Sequence, residues 1–278
     1  AAPTGVLLYG PPGTGKTLLV RTLAAESGLS LIAAHIPQLM RAEVGGSERA
    51  LTALFARARA HRPCLLLLDE LQALFGGCGG GDGGGGGRVQ RQLLTQLLVE
   101  LDGASAEAAS DDGGALVIVG ATNTPEALDG ALLRPGRLEH AIYVPPPDPR
   151  ARASILRARI RRMPLERADI ELAGISADDL ADRLSARTEG CTGADLDALC
   201  QKAALLALAR CRPNDVHAAR AGADATTDAA PLTVRADDFE NAMRALRPSV
   251  TPAMLERLEA WTATRARRNA APDAESRG

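Results

Sequence analysis

The chain has 278 residues, enough for one large or two modest domains, and a formal net charge of −2. That balance gives no whole-chain basic signature for nucleic acid, and an aromatic share of 2% leaves little material for base-stacking platforms. No apolar run approaches the ~20 residues of a membrane-spanning helix, no signal-peptide pattern is visible, and the cysteines and histidines lack zinc-site spacing.

The first element is a short apolar run, residues 6–9, which reads as a strand. Behind it stands Gly10-Pro11-Pro12-Gly13-Thr14-Gly15-Lys16-Thr17, which completes the phosphate-binding pattern G-x-x-x-x-G-K-[ST]. A strand delivers a loop whose glycines have no Cβ to block the backbone. Its N–H groups can then converge on phosphate oxygens, and the next helix points its positive end at the same charge. Lys16 supplies a cation for the β- and γ-phosphates and Thr17 a hydroxyl for Mg²⁺.

The helix is predicted from about Thr17 to Ser27, followed by a strand over residues 29–36. Residues 47–60 read as an amphipathic helix capped by Ser47, with Leu51, Leu54, Phe55 and Ala58 on one face. Cys64-Leu65-Leu66-Leu67-Leu68-Asp69-Glu70 then reads as a buried parallel strand with two acids at its carboxyl edge, where α/β sheets bind ligands. Asp69 is placed to hold Mg²⁺ and Glu70 to act as general base on the water that attacks the γ-phosphate. The almost pure glycine run at 76–87 is expected to be disordered, and helical spacing resumes over 89–101.

A third strand, Leu116 to Asn123, puts the Asn123 amide at the same edge, where it could orient the lytic water. Arg134 and Arg137, separated by a rigid Pro-Gly bend, suit a neighbouring subunit's γ-phosphate as arginine fingers. From Pro149 onward the strand signal disappears. Helices are predicted near 149–161, 176–188, 193–209 and 235–245, so a domain boundary falls at about 145–149. Residues 212–231 read as a flexible insertion and 270–278 as a frayed tail.

Taken in order, Gly-Pro-Pro-Gly-Thr-Gly-Lys-Thr, Leu-Leu-Asp-Glu, Gly-Ala-Thr-Asn and Leu-Arg-Pro-Gly-Arg resemble the core of AAA ATPases, and Thr192-Gly193-Ala194-Asp195 resembles their helical lid. The resemblance spans about Gly5 to Arg247. It implies an α/β P-loop NTPase fold of the AAA+ type, with a parallel five-stranded sheet flanked by helices and followed by a small all-α lid. The expected organisation is a core over 1–147, a lid over 148–247 and a C-terminal helix and tail over 248–278. ATP would lie on residues 10–17 and Leu18 with Asp69, while Gly193 and Ala194 would stand near the adenine in place of the sensor-2 arginine of other clades. Thr17 and Asp69 would serve Mg²⁺. Glu70, Asn123, Arg134 and Arg137 would be catalytic.

The same resemblance implies a homo-hexameric ring, or pairing with another AAA domain, acting on a protein substrate in the cytoplasm or nucleus. No membrane and no direct nucleic-acid contact are expected. Residues 141–148, 162–165, 203–208 and 249–252 are most similar to the second ATPase domain of the ribosome-maturation members, with valosin-containing-protein-like and peroxisomal members close behind. AAA domains carry a helix before the first strand, so the start at Ala1 suggests a piece of a longer chain or a shortened reading of its gene.

Three departures stand out. The pore position that is aromatic in AAA unfoldases is Glu43, in Glu43-Val44-Gly45, which leaves little apolar area for gripping a polypeptide. Grip then belongs to another ATPase domain, to other subunits, or to a preference for basic substrates. Gln72 replaces an acid, and Arg91-Gln92 replaces Asp-Arg. An ATP-binding scaffold with little hydrolysis is the alternative to an active enzyme. A small-molecule kinase would leave the two arginines unexplained, and no Asn-Lys-x-Asp sequence reads guanine.

Overall fold

The computed structural model describes residues 5–40, 46–75, 86–108, 114–165, 176–210 and 233–270. Glu43-Val44-Gly45, nearly all of the glycine run and the insertion expected at 212–231 lie outside these residues. Contacts divide the chain into two units. One joins Ala1–Pro11, Gly15–Pro145 and Pro252–Gly278; the other joins Pro12–Thr14 and Pro146–Thr251.

The first unit is built on a parallel sheet of β1 (Gly5–Tyr9), β2 (Ser30–His35), β3 (Cys64–Asp69), β4 (Leu116–Thr122) and β5 (His140–Tyr143), in the order β2-β3-β4-β1-β5. Every residue of β3 is buried, as a strand covered on both faces requires. Its side chains alternate between two cores. Leu66 and Leu68 pack on one face with Leu51, Phe55 and Leu97, while Leu65 and Leu67 pack on the other with Val20 and Ala24. The register sets Tyr9 beside Thr122 and Leu68 beside Gly120. Parallel strands in that register bring the carboxyl ends of β1, β3 and β4 to one sheet edge.

Among the described residues, the strands of this unit are connected by α1 (Lys16–Ser27), α2 (Ile36–Met40), α3 (Gly46–Ala60) and α4 (Gly86–Ala108). The apolar face read from the sequence of α3 is the buried one. Ser47, however, is not its cap: the helix already includes Gly46, and the buried Ser47 Oγ has no hydrogen-bond partner among the described residues.

The second unit contains α5 (Pro149–Ile160), α6 (Ala177–Ala186), α7 (Gly193–Arg210) and α8 (Ala236–Arg244). Asp148 caps α5 by accepting from Ala151 N at 2.7 Å, and Ser176 with Asp179 forms a capping box on α6. Leu156, Leu184, Leu199 and Phe239 are all fully or almost fully buried in its core. Buried Arg152 donates to the carbonyl oxygens of Ser185 and Pro147, so the first turn of α5 holds the incoming chain. The C-terminal helix, α9 (Pro252–Ala270), belongs to the first unit, packing beside β1 through Trp261, Thr262 and Arg265.

Candidate active site

The turn after β1 begins under tight contact. Val144 N donates to Tyr9 O at 2.8 Å, and a Cβ on Gly10 would stand 2.2 Å from Val144 O. Only glycine fits there without moving the end of β5. Gly10→Ala is therefore expected to cost about 1–3 kcal/mol of stability, the usual range for overpacking, and to weaken nucleotide binding. Urea unfolding and equilibrium titration of the same variant would check both.

Lys16 opens α1 and is buried, with 7% of its surface exposed. Its Nζ donates to Gly10 O at 2.9 Å and to Pro11 O at 2.8 Å, so the loop holds its cation inward. Burial pushes the ammonium from its ordinary 10.5 down to about 8, against the opposite pull of Asp69. The sign follows: between about pH 8 and 10.5 the unfolded chain holds the proton more firmly, so this penalty on folding fades as pH rises through that window. A phosphate beside Lys16 restores the charged form. Nucleotide binding at pH 8.5 is thus expected to take up a fraction of a proton. Calorimetry in buffers of different ionisation enthalpy should show that uptake; identical heats in all of them would refute it.

At the neighbouring strand end, Thr17 Oγ1 donates to Asp69 Oδ2 at 2.7 Å, and Asp69 Oδ1 accepts from Glu70 N at 3.0 Å. The buried carboxylate thereby ties the phosphate loop to the β3 edge. Its hard oxygen, with the Thr17 hydroxyl, would suit a magnesium ion. Glu70 is exposed and has φ of 59°, alone among described non-glycine residues in the left-handed region. Such a backbone costs a glutamate on the order of 1 kcal/mol or more and clusters at functional sites. It breaks the extended backbone of β3 immediately after Asp69.

Asn123 is partly buried directly behind β4. Beside it, Thr122 Oγ1 donates to Gln72 Oε1 at 2.9 Å and accepts from Thr124 N at 3.2 Å. Gln72, an amide where an acid was expected, therefore braces the β3 loop against the β4 end. No acid is required for that contact.

The two arginines part company. Arg134 is exposed, at the end of the short 3₁₀ turn Gly130–Leu133, and its side chain has no partner among the described residues. Arg137 is engaged within the chain: Nε and Nη2 grip both oxygens of Asp102 on α4 at 2.6 and 2.8 Å, and Nη1 donates to Ala131 O at 2.7 Å. Asp102 raises the guanidinium's pKa further, so Arg137 stays charged. The sequence suggested a pair reaching outward; the structure braces Arg137 and shows no side-chain partner for Arg134 among the described residues.

Within the second unit, Ala194 N donates to Gly13 O at 3.2 Å, and Gly13, with φ of 76°, is so close to Thr192 that a Cβ would meet its Oγ1 at 2.5 Å. Gly193 and Ala194 are thereby brought to the loop glycine. Asp195 pins this corner by accepting from the N–H and hydroxyl of both Thr192 and Ser249. Those bonds hold its carboxyl below the usual range although burial pushes it up most. Pro11 is buried; Pro12, Thr14 and Gly15 are half-buried, and Leu18 is exposed.

A glycine loop between β1 and α1, a hydroxyl–carboxylate pair and a second acid at β3, and an amide at β4 define a P-loop nucleoside-triphosphate-binding core. The chain belongs to the ATPase family associated with various cellular activities (AAA), whose model matches residues 6–146. The AAA+ lid domain matches residues 177–220, and the Vps4 C terminal oligomerisation domain matches 208–264. Among similar proteins are the Cell division cycle protein 48 homolog of Archaeoglobus fulgidus, 38% identical over 92% of this chain, and the ATPase family gene 2 protein of Saccharomyces cerevisiae, 38% identical over 93%. Protein SAV of Sulfolobus acidocaldarius is 35% identical over 94%. The chain spans 29–32% of the length of these curated relatives. A crystal structure of the FIGL-1 AAA domain in complex with ADP superposes with a TM-score of 0.73 at 29% identity, covering 95% of this chain and 79% of that one. Membership supports ATPase activity in general terms, and the oligomerisation-domain match supports assembly.

Proposed function

We propose that this chain is the Mg²⁺-dependent ATP-hydrolysing domain of a ring-shaped AAA assembly. The observation that carries the reading is the 2.7 Å bond from Thr17 to Asp69, with Glu70 turned out of the strand line immediately after it. ATP is the substrate. The loop amides and Lys16 bind its phosphates, and Thr17 and Asp69 would hold Mg²⁺, which would supply charge neutralisation at the phosphate oxygens. Glu70 takes a proton from water as that water's oxygen bonds to the γ-phosphorus and the bond to the bridging oxygen breaks. Asn123 orients the water. Arg134 of one subunit reaches the γ-phosphate of the next, and Arg137, held by Asp102, positions the bend that carries it.

Phosphate release by the 278-residue chain, measured across a range of protein concentrations, tests this. Turnover per subunit should rise steeply as the chain assembles and vanish on chelation of Mg²⁺. An assembled, ATP-loaded chain that releases no phosphate would instead identify a nucleotide-binding scaffold.

We further propose that hydrolysis drives remodelling or extraction of proteins, in the cytoplasm, during maturation of the large ribosomal subunit. The support is the resemblance of residues 141–148, 162–165, 203–208 and 249–252 to the second ATPase domain of ribosome-maturation members. Glu43 at the pore position fits a division of labour in which another ATPase domain provides most of the grip.

A further inference from the structure

The chain contains one tryptophan and two tyrosines. All three meet at a single place: Tyr9 at the end of β1 lies 4.6 Å, edge-on, from Trp261 of α9 and 5.4 Å from Tyr143 of β5, between ring centroids. Tyr9 is only 3% exposed, and its phenol bonds Thr262 Oγ1 at 2.9 Å. The direction of that bond is settled by its neighbour. Thr262 spends its own proton on Leu258 O at 2.7 Å, so the phenol donates and Thr262 accepts. Arg265, one turn beyond Trp261, lies over its ring and donates to Glu139 O, fastening α9 to the approach of β5.

Tyr9 is also the last residue before the phosphate loop. Its carbonyl accepts from Val144 N, and the next two carbonyls, Gly10 O and Pro11 O, are the acceptors of Lys16. A phosphate that engages Lys16 changes the load on Gly10 and Pro11. Gly10 is confined on the β5 side, where a Cβ would come within 2.2 Å of Val144 O. Movement is therefore passed along the chain to Tyr9, whose ring is wedged against α9. The buried phenol finds its acceptor on that helix, so Tyr9 and α9 must shift together or leave a buried hydroxyl without a partner.

We infer that Tyr9 and Thr262 are positioning residues that couple nucleotide occupancy of the phosphate loop to the placement of α9, and through α9 to assembly of the ring. The inference rests on the proposed ATPase reading. It adds the route by which binding in one subunit alters its contacts with others. The matched oligomerisation-domain model runs to residue 264 and so includes both Trp261 and Thr262. Linkage makes the effect reciprocal: a nucleotide that tightens assembly is itself bound more tightly by the assembled form.

The test compares the 278-residue wild-type chain with Tyr9→Phe, Thr262→Val and the double variant, each keeping the buried volume nearly constant. Sedimentation velocity with and without a non-hydrolysable ATP analogue gives the assembly midpoint, and calorimetry on dilute protein gives the intrinsic nucleotide affinity. In the wild type the analogue should tighten assembly by at least ~10-fold, within the common range of allosteric coupling. Each single variant should reduce that factor to about 2-fold or less while its dilute-protein affinity stays within about 3-fold of wild type, and the double variant should be no worse than either single one, as shared coupling requires. Retention of the wild-type factor in Tyr9→Phe and Thr262→Val would overturn the inference. A wild-type chain that binds no nucleotide at any concentration would sink the ATPase reading itself, and the coupling with it.

Discussion

Glu70→Gln is expected to bind ATP, remain assembled and lose at least ~10²–10⁴-fold in turnover, the contribution usual for a positioned general base. The substitution keeps the size of the side chain and its hydrogen-bonding reach, and removes the carboxylate's charge and with it the capacity to accept a proton from water. Asp69, which receives the bonds from Thr17 and from Glu70 N, is untouched. Binding and catalysis should therefore separate cleanly. Unaltered ATP affinity with no phosphate release is the expected result; brisk hydrolysis by this variant would remove Glu70 from the role of base. The left-handed backbone at residue 70 adds a second check. Glu70→Gly relieves the backbone cost as well as deleting the carboxylate, so it should raise stability while abolishing turnover, a combination that a purely structural glutamate would not give.

The second large effect is expected at Arg134. A finger supplied from a neighbouring subunit is worth on the order of 10³–10⁵ in rate in well-studied P-loop systems. Arg134→Ala should lose turnover on that scale without a change in the melting of the isolated chain, because its exposed side chain makes no hydrogen bond or ion pair among the described residues. Arg137→Ala should behave differently. It removes a two-pronged grip on Asp102 and a bond to Ala131 O, and is expected to cost about 1–2 kcal/mol of stability, since the carboxylate is largely exposed and solvent screens it. Mixing provides the decisive experiment. Arg134→Ala subunits retain Glu70, and Glu70→Gln subunits retain Arg134, so mixed assemblies should recover hydrolysis at interfaces that pair the two intact groups. Mixtures as inactive as their parents would mean that Arg134 does not act between subunits.

Much of the core was legible because its signals are local. The apolar run of β3 reads as a doubly covered strand, and its end at Asp69 and Glu70 needs no knowledge of the rest of the chain. The start of α1 and the buried face of α3 follow equally from spacing. What escaped was made by partners far apart in sequence or by backbone conformation. Arg137 meets Asp102, 35 residues earlier, and nothing in Leu-Arg-Pro-Gly-Arg announces that carboxylate. Gln72 looked like a lost acid until Thr122 was found against it, 50 residues away. Glutamate is an improbable occupant of the left-handed region, so no residue preference could have indicated the turn at Glu70. The membership of α9 in the first unit was hidden for a related reason: the side chains that attach it, among them Leu258, Trp261, Thr262 and Arg265, are set among Glu256, Arg257 and Glu259, and the stripe resembles that of any solvent-facing helix.

The gathering of Trp261 against Tyr9 gives this molecule an optical property of its own. With one indole in the chain, emission excited selectively from tryptophan originates at a single address, on α9. Far-ultraviolet dichroism, by contrast, is dominated by the many helices of both units. If α9 leaves β1 before the rest melts, the indole signal will change at lower denaturant than the dichroism, and the interval between the two transitions measures how firmly that helix is held. The protein thus contains its own gauge of C-terminal detachment, readable without attaching a dye.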